Sequence, residues 1–187
     1  MTAAAVSAVL VSGCSGGAPA PTGGTGDPAD TTPPAITHPL PATVISGDPC
    51  GALTTAQTTT LLGSTDLHVE KEDNTVAVMC HWSNMSRGSQ ITVQYLYGWT
   101  RGLGTVYAKR HQIYFREMGP VQGYPTVEFG WKFDHEYGRC GIAVGVAENT
   151  AFEADATISR ELVGHLDPCD AADRIADAVL TTMTSTP

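Results

Sequence analysis

The chain has 187 residues, with 10 lysines and arginines against 19 aspartates and glutamates, for a formal net charge of −9. Acidity of that size repels a phosphate backbone, so nucleic acid is excluded as a natural partner. No apolar run reaches the roughly 20 residues of a membrane-spanning helix, and the length suits one folded domain with extra chain at its N-terminus.

Residues 1–13 are small and apolar, like the end of a signal peptide's hydrophobic region, although no basic segment precedes them. Val11-Ser12-Gly13-Cys14 then reads as a bacterial lipoprotein's cleavage and lipidation point, with acyl chains carried on Cys14. Residues 14–45 are rich in Gly, Pro, Thr and Ala, with Asp27 and Asp30 their only charges. Such a segment buries too little apolar surface to offset its ordering entropy and is expected to form a disordered tether. The folded domain is expected over residues 46–187. The expected address is extracytoplasmic, anchored to the cell membrane through Cys14.

Asp48-Pro49-Cys50 opens the domain as a helix start, followed by Leu53, Ala56 and Leu61 near helical spacing and by Gly63 as a C-cap. Asp167-Pro168-Cys169 repeats that opening, and Ala172, Ile175, Val179 and Met183 continue it as a C-terminal helix. Between the two, residues 76–83, 90–97, 126–133 and 140–147 read as strands, and residues 152–158 as the hairpin partner of the last. In residues 140–147, Ile142, Val144 and Val146 alternate with Ala143, Gly145 and Ala147, which makes one face bulky and the other small. Residues 101–116 carry Leu103, Val106, Tyr107, Ile113 and Tyr114 at helical spacing. The expected fold class is α+β: an antiparallel sheet covered by N-terminal, middle and C-terminal helices, with two disulfides.

Setting Cys14 aside leaves Cys50, Cys80, Cys140 and Cys169, an even number in a chain read as exported. No Cys-x-x-Cys pair is present, so the spacing favours disulfides over a metal site. In sequence, the lipidation site, tether, two Asp-Pro-Cys helix starts, Cys80-x-Trp82, Gly123-x-Pro125 and the Cys140 strand resemble the actinobacterial lipoproteins grouped as domain of unknown function 3558. That resemblance runs from residue 14 to about residue 183 and implies an envelope lipoprotein without an assigned activity. The return of the chain favours Cys50–Cys80 with Cys140–Cys169, and Cys50–Cys169 with Cys80–Cys140 is the rival connectivity.

The chain contains no Gly-x-Ser-x-Gly on an expected strand-to-helix turn, no phosphate-binding Gly-rich loop, no His-Glu-x-x-His and no EF-hand loop. No catalytic residue and no cofactor is therefore assigned. Asp134-His135-Glu136 is the densest polar group, suited in composition to holding a divalent metal or to acid–base work. Adjacent strand residues point to opposite faces, however, and a solvated hairpin tip is the expected setting. Arg101, Lys109, Arg110 and Arg116 place four of ten basic residues on one expected helix, a candidate contact for anionic lipid or wall polymer. Most aromatic residues are expected in the core. The function this supports is a non-catalytic binding domain for an envelope protein, lipid or wall component. An envelope hydrolase using Asp134, His135 and Glu136, or a structural spacer, stand as the alternatives.

Overall fold

The computed structural model describes Met1, residues 32–132 and residues 134–185, so Cys14, the leader and the first part of the tether lie outside the described residues. Seven strands form one antiparallel sheet: β1 (His68–Asp73), β2 (Ala77–Asn84), β3 (Ser89–Leu96), β4 (Tyr114–Glu117), β5 (Thr126–Gly130), β6 (Arg139–Ala147) and β7 (Thr150–Thr157). Their spatial order is β1-β2-β3-β7-β6-β5-β4. Two meanders, β1 to β3 and β4 to β7, thus meet along a single seam that runs from Gln90↔Thr157 to Gln94↔Glu153.

The runs read as strands all fall in the sheet, and two further strands join it. β1 is His-Val-Glu-Lys-Glu-Asp, exposed at all six positions, and has no apolar alternation to announce it. Its charges suit an edge strand, where they discourage pairing with another chain. β4 lies inside the segment expected to be helical. There only α2 (Gly104–Tyr107) is helical, while Phe115 pairs across the ladder with Phe129 and meets Tyr107 edge-on at 5.0 Å. Cross-strand aromatic packing outweighs the helical spacing of residues 101–116.

The Asp-Pro-Cys openings behave differently at the two ends. Asp48 accepts the Cys50 N–H at 2.9 Å, but the helix it starts is a single 3-10 turn, Pro49–Gly51. α1 (Thr55–Leu62) begins afresh on a capping box: Gln57 N–H donates to Thr54 Oγ1, Thr54 N–H donates to Gln57 Oε1, and left-handed Gly63 ends the helix. At the C-terminus Asp167 Oδ1 accepts the Cys169 N–H at 2.8 Å, and α3 (Pro168–Ser185) runs on with Ala172, Ile175, Val179 and Met183 buried.

α1 and α3 lie on one face of the sheet, over Trp82, Ile91, Val93, Ile142, Val144 and Phe152. Gln57 Nε2 ties the two helices by donating to Ala178 O at 2.8 Å. Ile36, Leu40, Val44 and Ile45 pack on the same core, and Leu40 N–H donates to Val146 O at 2.8 Å. The folded part therefore takes in residues 36–45, which were expected in the tether: four apolar side chains do the burying that the surrounding Pro and Thr conceal. On the opposite face Leu103, Val106, Tyr107, Val127 and Ala143 form a smaller core. Helical cover there is limited to α2, so the sheet is only partly sandwiched by helices.

Disulfides Cys50–Cys80 and Cys140–Cys169 fasten the Pro49–Gly51 turn to β2 and the first turn of α3 to β6. Their sequence separations, 30 and 29 residues, correspond by chain entropy to about 3.5 kcal/mol each.

Candidate functional site

Where α1 and α3 diverge at one end of the sheet, a cavity of about 320 Å³ opens. Ile91 and Ala156 line it from the sheet, Leu61 and Leu62 from α1, Ile175 from α3, and Ile158 and Leu166 from the β7–α3 connection. This volume lies at the lower end of the range of ligand sites, about 300–1,000 Å³, and the apolar lining is of the kind such sites have. Polarity is asymmetric. Arg87, from the β2–β3 turn, and Arg174, from α3, both border the cavity and are exposed, and no carboxylate lines it. Arg174 Nε donates to Asp170 O at 3.1 Å, whereas the Arg87 guanidinium has no ion-pair partner among the described residues. In a chain of net charge −9, the two guanidiniums place positive charge at the border of an apolar space.

Asp134, His135 and Glu136 sit on a 3-10 turn between β5 and β6, and none of them lines that cavity. They do not converge. Asp134 accepts from Trp131 N–H at 2.9 Å and pairs with Arg139 at 2.8 Å, while Glu136 is exposed. His135 turns inward instead. Its Nε2 lies 2.6 Å from Glu128 Oε1 and 3.2 Å from Cys169 Sγ, and its Nδ1 lies 3.9 Å from Asp167 Oδ1. Glu128, only 2 % exposed, also accepts from Arg116 Nε at 2.6 Å. The sequence marked His135 but not Glu128 or Asp167. They reach it from β5 and from the cap of α3, distances along the chain that no local motif spans.

The four basic residues expected on one helix are dispersed by the shortness of α2. Arg101 and Lys109 are exposed in the turns that flank it, Arg110 lies over the Phe115 ring at 4.9 Å and 3.9 Å from Glu117, and Arg116 belongs to β4 and pairs with Glu128. The expected single basic face is not formed. Of the aromatic residues, Trp82, Tyr95, Tyr107 and Tyr124 are buried, and Trp131 and Tyr97 stand exposed.

A second polar group lies on the opposite face of the sheet. Glu153 and Asp155 of β7 point to the same side, over Gly141 of β6. A Cβ on that glycine would come within 2.6 Å of Asp155 Oδ1 and 3.2 Å of Glu153 Oε1. Gln94 Nε2 donates to Asp155 at 2.9 Å. Burial, then the charge of Asp155, push Glu153 well above the usual carboxylate range, and burial pushes Asp155 up to about 6. The side-chain hydrogen bond between the two carboxyls raises Glu153 further and draws Asp155 back down.

Comparison with curated proteins and with solved structures returned no match. A family described as "Protein of unknown function (DUF3558)" matches residues 9–182. That span takes in the cysteines, every strand and the greater part of α3, and the chain belongs to this family.

Proposed function

We propose that the protein is an extracytoplasmic lipoprotein, anchored to the cell membrane through Cys14, whose domain binds rather than transforms its ligand. The ligand is an apolar molecule with an anionic head, such as a single-chain lipid carboxylate or phosphate. One observation carries the binding proposal: the cavity between α1 and α3, apolar within and bordered by Arg87 and Arg174 without a carboxylate. The anchoring proposal rests on Val11-Ser12-Gly13-Cys14 and the Pro- and Gly-rich stretch after it. Two disulfides accord with an oxidising address.

In this proposal the binding energy divides into two parts. Burying the apolar body contributes about 25 cal/mol for each Å² removed from water. The guanidiniums add charge-assisted contacts that are weakened by their exposure, so each is worth about 1 kcal/mol, or roughly fivefold in affinity. Titration calorimetry with sodium decanoate below its micelle threshold tests this, with decanol as the uncharged control. Decanoate is expected to bind at one site, tighter than decanol, and Arg87→Ala and Arg174→Ala are each expected to weaken it about fivefold. Ile175→Trp, checked for fold by circular dichroism, is expected to fill the cavity and abolish binding. Equal affinity for decanol, or undiminished binding by the Ile175→Trp variant, would overturn the assignment.

A further inference from the structure

We infer that, when the Cys140–Cys169 disulfide is reduced, Cys140, Cys169, His135 and Glu128 form a four-ligand zinc site. One ligand atom from each of the four residues already lies within 4.8 Å of the others. Among the described residues this is the one group of three or more His, Cys, Asp and Glu side chains placed to hold an ion. Zinc prefers four N, S and O ligands at about 2.0–2.3 Å in a tetrahedron, which sets ligand atoms about 3.3–3.8 Å apart. Reaching that geometry requires the sulfurs to part and the 2.6 Å contact between His135 Nε2 and Glu128 Oε1 to open. Side-chain rotations suffice for both, with the two cysteine Cα atoms 5.1 Å apart.

The surroundings are those a zinc site needs. Arg116 holds the Glu128 Oε2 at 2.6 Å and leaves Oε1 facing the histidine and the sulfurs. Asp167 Oδ1 lies 3.9 Å from His135 Nδ1, on the side away from the ion, where a carboxylate commonly orients a ligating imidazole. Charges balance as well: a divalent ion and Arg116 meet two thiolates and the Glu128 carboxylate. Both sulfurs and Glu128 are buried, while the His135 side chain is 37 % exposed and gives the ion its route in.

The chemistry divides into two steps. A dithiol reductant delivers two electrons and two protons to the Cys140–Cys169 bond and leaves as its own cyclic disulfide. Zn²⁺ then binds the two thiolates and releases the two protons. Disulfide and zinc are thus mutually exclusive occupants of the same place. Among the described residues Cys50 and Cys80 belong to no such group, so their reduction provides a control within the same molecule.

The test uses the protein reduced anaerobically with dithiothreitol, desalted and titrated with Co²⁺ and then Zn²⁺. The expected result is one Co²⁺ per chain, with the visible bands of a tetrahedral ion and thiolate charge transfer in the near ultraviolet, both displaced by Zn²⁺. The oxidised protein is expected to give neither band. His135→Ala, at a half-exposed position, and Glu128→Gln are each expected to weaken Zn²⁺ binding at least about 100-fold, whereas Cys50→Ala/Cys80→Ala retains the spectrum. Cobalt binding without thiolate bands, binding unchanged in His135→Ala, or a reduced chain that unfolds and is not restored by Zn²⁺ would each overturn the inference.

Discussion

The carboxyl pair Glu153 and Asp155 makes the stability of this protein depend on pH in a direction opposite to that of an ordinary salt-bridged acid. Both groups titrate above their ordinary values in the folded chain, Asp155 moving from 3.8 to about 6. Between those limits the folded state holds a proton that the unfolded state has released. The Asp155 contribution is therefore fully present below about pH 4 and is lost as pH rises through about 6. Each pH unit between the two titrations is worth about 1.4 kcal/mol, which sets an upper figure of about 3 kcal/mol for Asp155, and its partial exposure reduces the expectation to about 2 kcal/mol. Asp155→Asn removes the titration at nearly constant volume, and its carbonyl still accepts from Gln94. In urea denaturation at pH 4, 5, 6 and 7.5 the variant should match the parent at the acid end and exceed it by about 2 kcal/mol at the alkaline end. Glu153→Gln should shift the profile in the same sense. Parallel profiles for parent and Asp155→Asn, or a variant weaker than the parent at pH 7.5, would refute the reasoning.

Three further outcomes follow from particular residues. Cys14→Ala, made in the full-length gene, should move the protein from the membrane to the soluble or released fraction, since acyl chains hold by about 0.8 kcal/mol per buried methylene; unchanged membrane partitioning would end the lipoprotein proposal. Replacing Cys50 and Cys80 together by Ala should cost about 3.5 kcal/mol in denaturant unfolding, and a loss under about 1 kcal/mol would mean that the unfolded chain gains little freedom when this loop opens. Gly102→Ala combines a left-handed backbone, φ 49°, with a Cβ that would lie 2.6 Å from Thr150 N; it should cost about 2–4 kcal/mol, read as a melting temperature lower by roughly 6–12 °C, and an unchanged melting temperature would contradict that packing.

What could be read from the residues, and what could not, divides along the range of the interactions. The alternation in β6 is local, and it separates the two faces: Ile142 and Val144 face α3, while Gly141 and Gly145 leave room for Asp155 and for Leu103. The apolar spacing of α3 is local too, and the observed disulfides are those the return of the chain favours over the rival connectivity. The capping box at Thr54 and Gln57 was present in the sequence, but the Asp-Pro pair six residues earlier masked it. β4 and the brevity of α2 depend on Phe115 finding Phe129 and Tyr107, which helical spacing cannot express. The cavity is assembled from α1, β3, β7 and α3, and the His135 cluster from residues up to 34 positions from His135 itself. Neither has a signature in any window of adjacent residues.

The two disulfides also determine how the domain bears a mechanical load. A pull on the N-terminus first meets residues 36–45, held by apolar contacts and the Leu40 to Val146 hydrogen bond, which can peel away one after another. Peeling then stops at Cys50, which is bonded to β2 in the body of the sheet. From the other end, unwinding of α3 stops at Cys169, bonded to β6. The two loops that the disulfides close, residues 50–80 and 140–169, cannot be drawn out, and a load applied at the termini passes from Cys80 to Cys140 along the chain between them. The strap over residues 36–45 can therefore come off and re-seat while the cavity between α1 and α3 keeps its shape.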